Sequence, residues 1–412
     1  MPPTSPIVSP SGLIRHHLSH PTAFPERPRK GTTYRIGVFA VSSIEMGRSL
    51  LRGIRSYCDH HPDVEMVILS NNQFSEEAIE KAPDVDCLII QHYDEEKFVS
   101  LQASGYPIII TSNRKRAEKV GRVLYHDHEI GKMGAADLLD RGFRTFAFIE
   151  GGLRTADRIE PFQFALERRQ GFVEQVQCGN TTTHLFTISK VSDLAEVARV
   201  LMKIPGPIGV MAASDLYARW FIEALPQARR WVPEKFGVLG VDNDPQENAL
   251  CPVSLSSIHP AGERLGYEAA AQAIAMAQNP SGKLPEVRVS PSHLVTRTST
   301  NIYSIADDVV RRALKLIRER LNELRDVSDV VRALHLHRRT LEDKFRKSLG
   351  RSLAEELNRS RIRRATELLG TTSLSIKQIS FLVGFSEPRL LSRNFRKLTN
   401  ETPGDYRKRV LP

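Results

Sequence analysis

The chain has 412 residues, of which 26% are charged, and a formal net charge of +10 at pH 7. This length gives room for two or three domains with sizeable cores. No uninterrupted apolar run approaches the roughly 18 residues of a membrane span and no basic-then-apolar signal opens the chain, so we expect a cytoplasmic protein that does not enter a membrane. Its four cysteines are far apart and form no C-x-x-C pair, so the sequence indicates neither a disulfide framework nor a zinc site.

The positive charge lies at one end of the chain. Residues 304–412 hold 25 lysines and arginines against 14 aspartates and glutamates, a net charge of +11, whereas residues 1–303 have a net charge of −1. This asymmetry indicates that the C-terminal part binds a polyanion and that the rest of the chain has another task.

Residues 1–33 are rich in proline, serine and histidine, show no hydrophobic periodicity and end in the basic run 27–30. We interpret them as a flexible arm. A weak metal site formed by His16, His17 and His20 is an alternative interpretation, but a disordered segment explains the same residues more simply.

From Tyr34 onwards, short apolar runs alternate with amphipathic stretches. The predicted strands are residues 35–41, 65–69, 87–90, 107–111, 146–149, 208–212 and 236–241. Continuous apolar runs separated by helices are typical of a parallel sheet covered on both faces. Two successive sets of such runs predict an α/β domain of two lobes over residues 34–300.

Polar and aromatic residues follow these strands, where open parallel sheets bind their ligands. They lie in the segments 42–54, 125–127, 164–172, 213–215 and 241–244. Carboxylates and amides beside an arginine and an aromatic ring suit a polyol, whose hydroxyls need paired donors and acceptors and a flat stacking face. Each residue alone is more simply a helix cap or a surface ion pair. Their succession at five strand ends favours a binding site.

Four motifs in this region resemble the LacI/GalR-type sugar-sensing domain, a two-lobed relative of the periplasmic binding proteins. They are residues 125–131, 168–172, 237–244, and 255–258 followed by 265–270. The resemblance implies Arg168 and Asp242 as the main ligand contacts, with further contacts from Asp127, Phe164, Asp215 and Asn243. Residues 1–33 do not supply the DNA-binding headpiece of that family.

Motifs for catalysis or metal binding are missing from the sequence. There is no phosphate-cradling glycine loop, nucleophile elbow or H-E-x-x-H pattern. The pair His126 and His128 lacks further ligands nearby, so we expect no metal there. We therefore expect no cofactor and no enzyme activity.

Residues 301–326 join the two parts of the chain. Ile305, Val309, Leu314, Ile317, Leu321 and Leu324 give this segment an amphipathic helical pattern, unlike a Gly/Ser tether. We expect a connector that includes the first helix of the C-terminal domain and can transmit movement.

Residues 327–412 contain the same helix-turn-helix pattern twice. The first copy has its turn at 335–337 and a second helix over 338–347, and the second copy has its turn at 384–386 and a second helix over 387–397. Leu341 and Phe345 recur fifty positions later as Leu391 and Phe395, which predicts the same buried side for both second helices. We expect Gly384 to end a helix and Ser386 to cap the next one, whereas His335 and His337 are weaker signals at the matching places.

A continuous helix over residues 352–369 is predicted between the two copies. Eighteen residues at about 1.5 Å each span roughly 27 Å, which could hold two reading helices about one turn of DNA apart. These residues, with the closing segment 394–407, resemble the AraC-type regulator domain over about 105 residues. The predicted DNA-contacting residues are Arg338, Arg339, Glu342, Arg389, Ser392, Arg393 and Arg396.

A sugar sensor followed by an AraC-type domain resembles the xylose-operon regulators. The resemblance implies a sugar-responsive regulator that binds double-stranded DNA, takes a xylose-like sugar as effector, forms a homodimer, contacts RNA polymerase and works in the cytoplasm at the nucleoid. Two alternatives stay open at this point: a sugar-metabolising enzyme with an added DNA-binding domain, and a constitutive DNA-architectural protein whose sensor binds nothing.

Overall fold

The computed structural model describes residues 33–70, 84–91, 105–113, 120–156, 158–177, 180–279, 282, 285–301, 304–305 and 307–411. The predicted arm lies outside this part of the chain apart from its last residue, as does Cys178; the other three cysteines are free thiols. None of the described helices is long and apolar enough to cross a membrane.

The N-terminal lobe is built on a six-stranded parallel sheet. Its strands are β1 (Tyr34–Phe39), β2 (Val64–Ser70), β3 (Cys87–Ile90), β4 (Ile108–Ile110), β5 (Gly121–Tyr125) and β12 (Glu286–Val289), in the order β12-β5-β4-β3-β1-β2. Strands β3 and β4 are buried along their whole length, as continuous apolar runs predict for a sheet covered on both faces. Helices α1 (Glu45–His60) and α8 (Gly262–Gln278) pack together in this lobe.

The C-terminal lobe carries a seven-stranded mixed sheet. Its strands are β6 (Thr145–Arg154), β7 (Ile159–Pro161), β8 (Thr182–Ile188), β9 (Ile208–Ala212), β10 (Phe236–Val241), β11 (Ser256–His259) and β13 (His293–Val295). The path runs β13-β11-β10-β9-β6-β7, and β8 also pairs with β6. Its helices are α2 (Asp127–Asp140), α3 (Gln163–Val176), α4 (Asp193–Lys203), α5 (Asp215–Ala224), α6 (Ala228–Trp231) and α7 (Pro245–Leu250). The two predicted lobes are therefore confirmed.

Paired glycines allow the closest helix crossings in both lobes. Helices α2 and α3 make the most extensive contact of any two described elements. A Cβ atom on Gly131 would collide with the carbonyl oxygen of Arg168, and one on Gly171 would collide with that of His128. Gly53 and Gly266 create the same arrangement between α1 and α8. The backbone contact at Gly131 fixes where Arg168 lies relative to the start of α2.

The C-terminal domain is all helical. Its helices are α9 (Asp308–Glu319), α10 (Val327–Leu334), α11 (Arg338–Leu349), α12 (Leu353–Thr371), α13 (Ile376–Leu382), α14 (Pro388–Thr399) and α15 (Pro403–Val410). The repeated positions Leu341, Phe345, Leu391 and Phe395 are all fully buried, so the predicted equivalence of the two second helices is confirmed. The helix between the copies begins one residue later than predicted, at Leu353, because Ser352 caps its start through a capping box with Glu355. It ends two residues later than predicted, at Thr371, and so includes Gly370.

The turn between the second pair of helices differs in one detail from the prediction. Gly384 has the left-handed conformation expected of it, with φ +87°, but the N-cap of α14 is Glu387 and Ser386 lies before it. Pro388 at the first helical position sets this start, because its missing N–H needs no partner there. In the first copy His335 adopts a left-handed conformation with φ +54°, and the side chain of His337 makes no cap hydrogen bond.

The connector helix α9 belongs to the core of the C-terminal domain. Ile305, Val310, Leu314, Ile317 and Leu324 are buried in one cluster with apolar residues of α10, α11 and α12. The predicted amphipathic helix is therefore present within the described part of 301–326, and it packs on the first helix-turn-helix.

The C-terminal domain also docks directly onto the C-terminal lobe. Arg359 Nη2 lies 2.5 Å from Asp140 Oδ2, and Arg351 Nη1 lies 3.5 Å from the other carboxylate oxygen. Just before β13, the carbonyl oxygen of Ser292 accepts a hydrogen bond from the hydroxyl of Tyr406. These contacts place the long helix α12 against β13, at the far end of α2 from Asp127.

Candidate functional site

A cavity of about 360 Å³ lies between the lobes, at the carboxyl ends of both sheets. Such a position is where open α/β sheets bind ligands, and the volume is near the lower end of small-molecule sites. Its lining residues end or follow seven strands. They are Val41, Ile44, Glu45, Met46, Gln91, Thr111, Ser112, Asn113, Tyr125, Asp127, Phe162, Gln163, Phe164, Arg168, Ser214, Leu216, Tyr217, Asp242, Asp244 and Glu247.

A buried ion pair forms one wall of this cavity. Arg168 Nε donates to Asp127 Oδ1 at 2.8 Å, and its Nη1 donates to the carbonyl oxygen of Ala213 at 2.5 Å. The guanidinium lies 5.0 Å from the centroid of the Phe164 ring. Burial raises the pKa of Asp127 to about 6 although Arg168 opposes this shift. The hydrogen bonds to Asp127 and Ala213 hold Arg168 in one orientation. Its Nη2 has no hydrogen-bond partner among the described residues.

Asp242 lines the same cavity and has a strained backbone conformation. It follows β10 with φ +111°, a region that residues other than glycine rarely adopt. Its Oδ1 is buried and has no hydrogen-bond partner in the described part of the chain. Burial raises its pKa to about 7, while Arg168 acts in the opposite direction. A carboxylate oxygen that lacks a donor at the wall of a cavity is suited to accept a ligand hydroxyl.

Two of the six predicted ligand residues lie outside the cavity lining. Asp215 is buried behind it, where its Oδ2 accepts from the backbone N–H of Asp244 at 2.8 Å, and burial raises its pKa. Asn243 points away, because its Oδ1 accepts from Arg297 at 2.6 Å and its backbone N–H donates to Ser257. Both residues support the turn that carries Asp242 instead of lining the cavity.

Several residues that line the cavity were not predicted from the sequence as ligand contacts. Thr111 and Ser112 place hydroxyl oxygens there that are buried and have no partner among the described residues. Phe162 stacks on Phe164 with ring centroids 5.8 Å apart and planes 7° from parallel. Thr111 ends the predicted strand 107–111 and Ser112 follows it, so both occupy the kind of strand-end position from which Asp242 was predicted. Phe162 had no comparable signal because β7, which precedes it, is only three residues long.

Polar contacts cross the mouth of the cleft on both sides. Arg48 of the N-terminal lobe donates to both carboxylate oxygens of Asp244 at 3.0 Å. On the other side, Arg288 of β12 lies 3.0 Å from Glu167 of α3. These contacts join the two lobes across the cleft, so that both lobes contribute to the walls of the cavity.

Asp242→Asn should stabilise the protein above pH 7. The carboxyl group holds its proton more tightly in the folded state than in the unfolded chain, so its contribution to the free energy of unfolding falls as the pH rises from about 4 through 7. The asparagine has no charge to bury, and we expect a gain of about 1–3 kcal/mol at pH 8 and no gain at pH 4. Urea unfolding at the two pH values measures this difference. An equal effect at both would show that the carboxyl group does not titrate in this range.

The candidate DNA interface consists of the second helices of the two repeats. Arg338 and Arg339 on α11, and Arg389, Arg393 and Arg396 on α14, are exposed, as a DNA-contacting role requires. Arg389 forms an ion pair with Glu387. Ser392, Arg393 and Arg396 line a shallow depression with Lys397 and Thr402.

Glu342 differs from the other predicted DNA contacts. It is half-buried, and its Oε2 accepts from the backbone N–H of Leu353 at 3.2 Å, in the first turn of α12. An acidic side chain in this position stabilises the positive end of a helix. The structure thus gives Glu342 a contact within the domain.

No cluster of three or more potential metal ligands occurs among the residues that the structure describes. His126 lies 3.6 Å from Glu129, and His128 lies 3.0 Å from Glu174, so the two imidazoles have separate carboxylate partners.

Family models match both parts of the chain. Residues 135–300 match a periplasmic binding protein-like domain, and residues 330–409 match a helix-turn-helix domain. The first match covers the C-terminal lobe with α8 and β12, and the second covers both helix-turn-helix units.

Curated relatives include two xylose operon regulatory proteins. The one from Haemophilus influenzae is 26% identical over 330 residues, which are 77% of this chain and 84% of the relative. The one from Escherichia coli is 29% identical over 207 residues, which are 50% of this chain and 53% of the relative.

Solved structures share the fold over most of the chain. A xylose-binding transcription activator matches with a TM-score of 0.56 and 22% identity over 92% of this chain and 98% of that structure. A LacI family regulator from Enterococcus faecium with bound ribose has a TM-score of 0.52 and 20% identity, over 65% of this chain and 98% of its own. The match to the xylose-binding activator includes both domains in the same order. The match to the ribose-bound regulator has about the length of the sensor domain alone.

Proposed function

We propose that this chain binds a monosaccharide between its lobes and that the bound sugar changes its affinity for operator DNA. The chain is a DNA-binding transcription regulator in which a periplasmic binding protein-like domain precedes an AraC-type helix-turn-helix domain. The observation that carries the sugar assignment is the cavity itself. The buried Arg168–Asp127 pair, the unpartnered oxygen of Asp242 and the stacked rings of Phe162 and Phe164 face one small space. Xylose is the first candidate, because two relatives carry its name.

A thermal-shift screen against aldopentoses and aldohexoses tests this proposal. A ligand that binds only the folded sensor raises its stability by about 2.7 kcal/mol at one hundred times its dissociation constant. We expect xylose or a close pentose to raise the melting temperature and to be recovered unchanged. Turnover of the sugar would favour the enzyme alternative, and failure of every sugar would favour a structural sensor domain.

Arg393→Ala should weaken operator binding by about 1–3 kcal/mol, because the substitution removes a base or phosphate contact from α14. Folding should be little affected, since Arg393 is exposed. Fluorescence anisotropy with labelled operator at several salt concentrations measures the affinity, which should fall steeply with salt in the wild type. Arg320→Ala, at an exposed residue directly after α9, is the matched control. Equal affinities for the Arg393 variant and the wild type would exclude α14 as a reading helix.

Further partners follow from this function. We propose that the chain acts as a homodimer, because operators with repeated half-sites favour paired subunits. We also propose that it works in the cytoplasm at the nucleoid and contacts RNA polymerase beside a promoter. Light scattering with and without operator tests the dimer, and transcription in vitro with purified polymerase shows whether sugar raises or lowers the transcript.

Asp140→Ala should reduce the coupling between sugar and DNA. Asp140 holds Arg351 and Arg359 of the C-terminal domain, so its loss weakens the docking of α12 on the sensor. Allosteric coupling is typically about 1–3 kcal/mol, and it is reciprocal for the two ligands. We expect the sugar-induced change in operator affinity to shrink while sugar binding itself stays intact.

Two further variants complete the coupling experiment. Glu196→Ala, which removes a surface carboxylate paired with Arg199 elsewhere on the same lobe, should leave the coupling unchanged. A Gly/Ser insertion after Ser304 tests the connector separately. Loss of coupling in the insertion variant alone would assign the signal to the connector, and full coupling in the Asp140 variant would contradict a role for the docking surface.

A further inference from the structure

Arg361 lies at the boundary between the two halves of the DNA-binding domain. The buried apolar residues of this domain form two separate clusters, one for each helix-turn-helix unit, and the clusters share no described residue. Helix α12 contributes to both, with Leu357 in the first cluster and Ile362 in the second. Arg361 is the one buried residue between these two positions of the chain. Its contacts therefore bear on how the two units are placed relative to each other.

The guanidinium of Arg361 reaches the first unit through two hydrogen bonds. Its Nη2 donates to the carbonyl oxygen of Leu324 at 2.7 Å and to that of Arg325 at 2.8 Å. Both residues lie between α9 and α10, and the next residue, Asp326, caps the start of α10. A side chain of α12 thus holds the backbone directly before the first helix-turn-helix.

The same guanidinium packs against the turn of the second unit. Its Cζ lies 5.0 Å from the centroid of the Phe385 ring, where a cation is attracted to the aromatic face. A Cβ atom on the neighbouring Gly384 would lie 3.2 Å from Arg361 Nε and 2.9 Å from the carbonyl oxygen of Leu321. The second turn therefore lies close to both the guanidinium and the segment that precedes α10.

A buried arginine is a costly way to fill this space. Burial lowers the pKa of Arg361 although Asp326 acts in the opposite direction, and Arg361 Nε has no hydrogen-bond partner among the described residues. An apolar side chain would avoid the cost of desolvating a charge. What the arginine adds is direction, because hydrogen bonds to carbonyl oxygens have preferred angles and apolar contacts do not.

We propose that Arg361 is a positioning residue that fixes the distance and angle between the reading helices α11 and α14. It would thereby determine the separation of the two DNA half-sites that one chain accepts. The proposal rests on the reading role assigned to these helices. Each base pair added between two half-sites turns the second by about 35° around the duplex, so a rigid pair of helices accepts one separation. Two linked modules gain affinity by binding together, and they lose this gain when their geometry prevents it.

Selection from a library of random DNA duplexes by the full-length protein measures the accepted separation. We expect the wild type to enrich two half-sites at a single separation. Arg361→Met removes the hydrogen-bond donors but keeps an unbranched side chain beside Phe385. It should enrich the same two half-sites at several separations, because each unit keeps its own apolar core.

Fluorescence anisotropy with the selected duplex gives the size of the effect. Changing the separation by two base pairs should weaken wild-type binding by about tenfold or more, and that of Arg361→Met by about threefold or less. A duplex with only one half-site should bind both proteins with affinities within about twofold, since neither reading helix is altered. Arg364→Met is the matched control, because Arg364 lies on the same helix but is half-exposed and pairs with Glu367. It should keep the wild-type separation.

Phe385→Leu replaces Arg361→Met if circular dichroism shows the latter to be unfolded. It removes the aromatic face but leaves both hydrogen bonds of Arg361, and it should also broaden the accepted separations. A single unchanged separation in the variant that folds would overturn this proposal alone. A single enriched half-site for the wild type would show that only one helix reads DNA, and it would overturn the proposal together with that reading role.

Discussion

Arg168→Ala is expected to abolish sugar binding and to lower the free energy of unfolding of the C-terminal lobe by about 3–5 kcal/mol. Arg168 is fully buried, and its removal leaves the Asp127 carboxylate without its cation. Breaking a buried ion pair from one side has this cost because the remaining charge stays desolvated. Both tryptophans, Trp220 and Trp231, lie in this lobe, so their fluorescence follows its unfolding in urea.

Two further variants test whether the lost ion pair causes this destabilisation. Arg158→Ala breaks an exposed pair with Glu160 on the same lobe, and we expect a change within about 1 kcal/mol. The double variant Arg168→Ala, Asp127→Asn removes the stranded charge and should recover part of the stability, but no sugar binding. If the single and double variants were equally unstable, lost packing of the arginine would be the better explanation.

Gly131→Ala should be destabilising by about 2–4 kcal/mol although it adds one methyl group to a helix. The new Cβ meets the backbone of α3 at Arg168, which cannot move away as a flexible side chain would. Separating α2 from α3 also separates Asp127 from Arg168, so sugar affinity should fall together with stability. Tryptophan fluorescence in urea and calorimetry with sugar measure the two effects.

Lys132→Ala is the control for this experiment. Lys132 is the next residue on the same helix, but it is half-exposed and pairs with Glu174 at the surface. We expect a change of no more than about 0.5 kcal/mol. A similarly small change for Gly131→Ala would mean that α2 and α3 have room to move apart.

Long apolar runs made the sheets predictable from the sequence, and weakly patterned strands did not. The runs at 87–90 and 236–241 are buried on both faces and correspond to β3 and β10. By contrast, β8 is largely half-exposed and holds three threonines and a histidine, so it gives no apolar run. The short strands β7, β12 and β13 have three or four residues each, and β12 and β13 pair with strands distant in the chain, whereas β7 pairs with the end of the adjacent β6.

The sequence predicted the location of the candidate site better than it predicted which side chains line it. The position after a strand brings Asp127 and Asp242 to the cavity, because strand direction alone determines it. The position of a residue after a strand does not determine whether its side chain points into the cavity or away from it. Asn243, next to Asp242, turns away since Arg297 and Ser257, both remote in sequence, bind it.

The docking of α12 on the sensor has an electrostatic consequence for the DNA-binding domain. Asp140 neutralises part of the charge of Arg351 and Arg359, which lie on a domain that is otherwise strongly basic. The sensor therefore acts as a counter-ion for its own reading domain. A fragment that begins after residue 304 lacks this carboxylate. Arg351 keeps its partner Glu356, but Arg359 should then be free to add attraction for any phosphate backbone regardless of base sequence. We therefore expect the whole chain to bind random DNA less tightly than this fragment does, so that the sensor improves discrimination among sequences even before any effector binds.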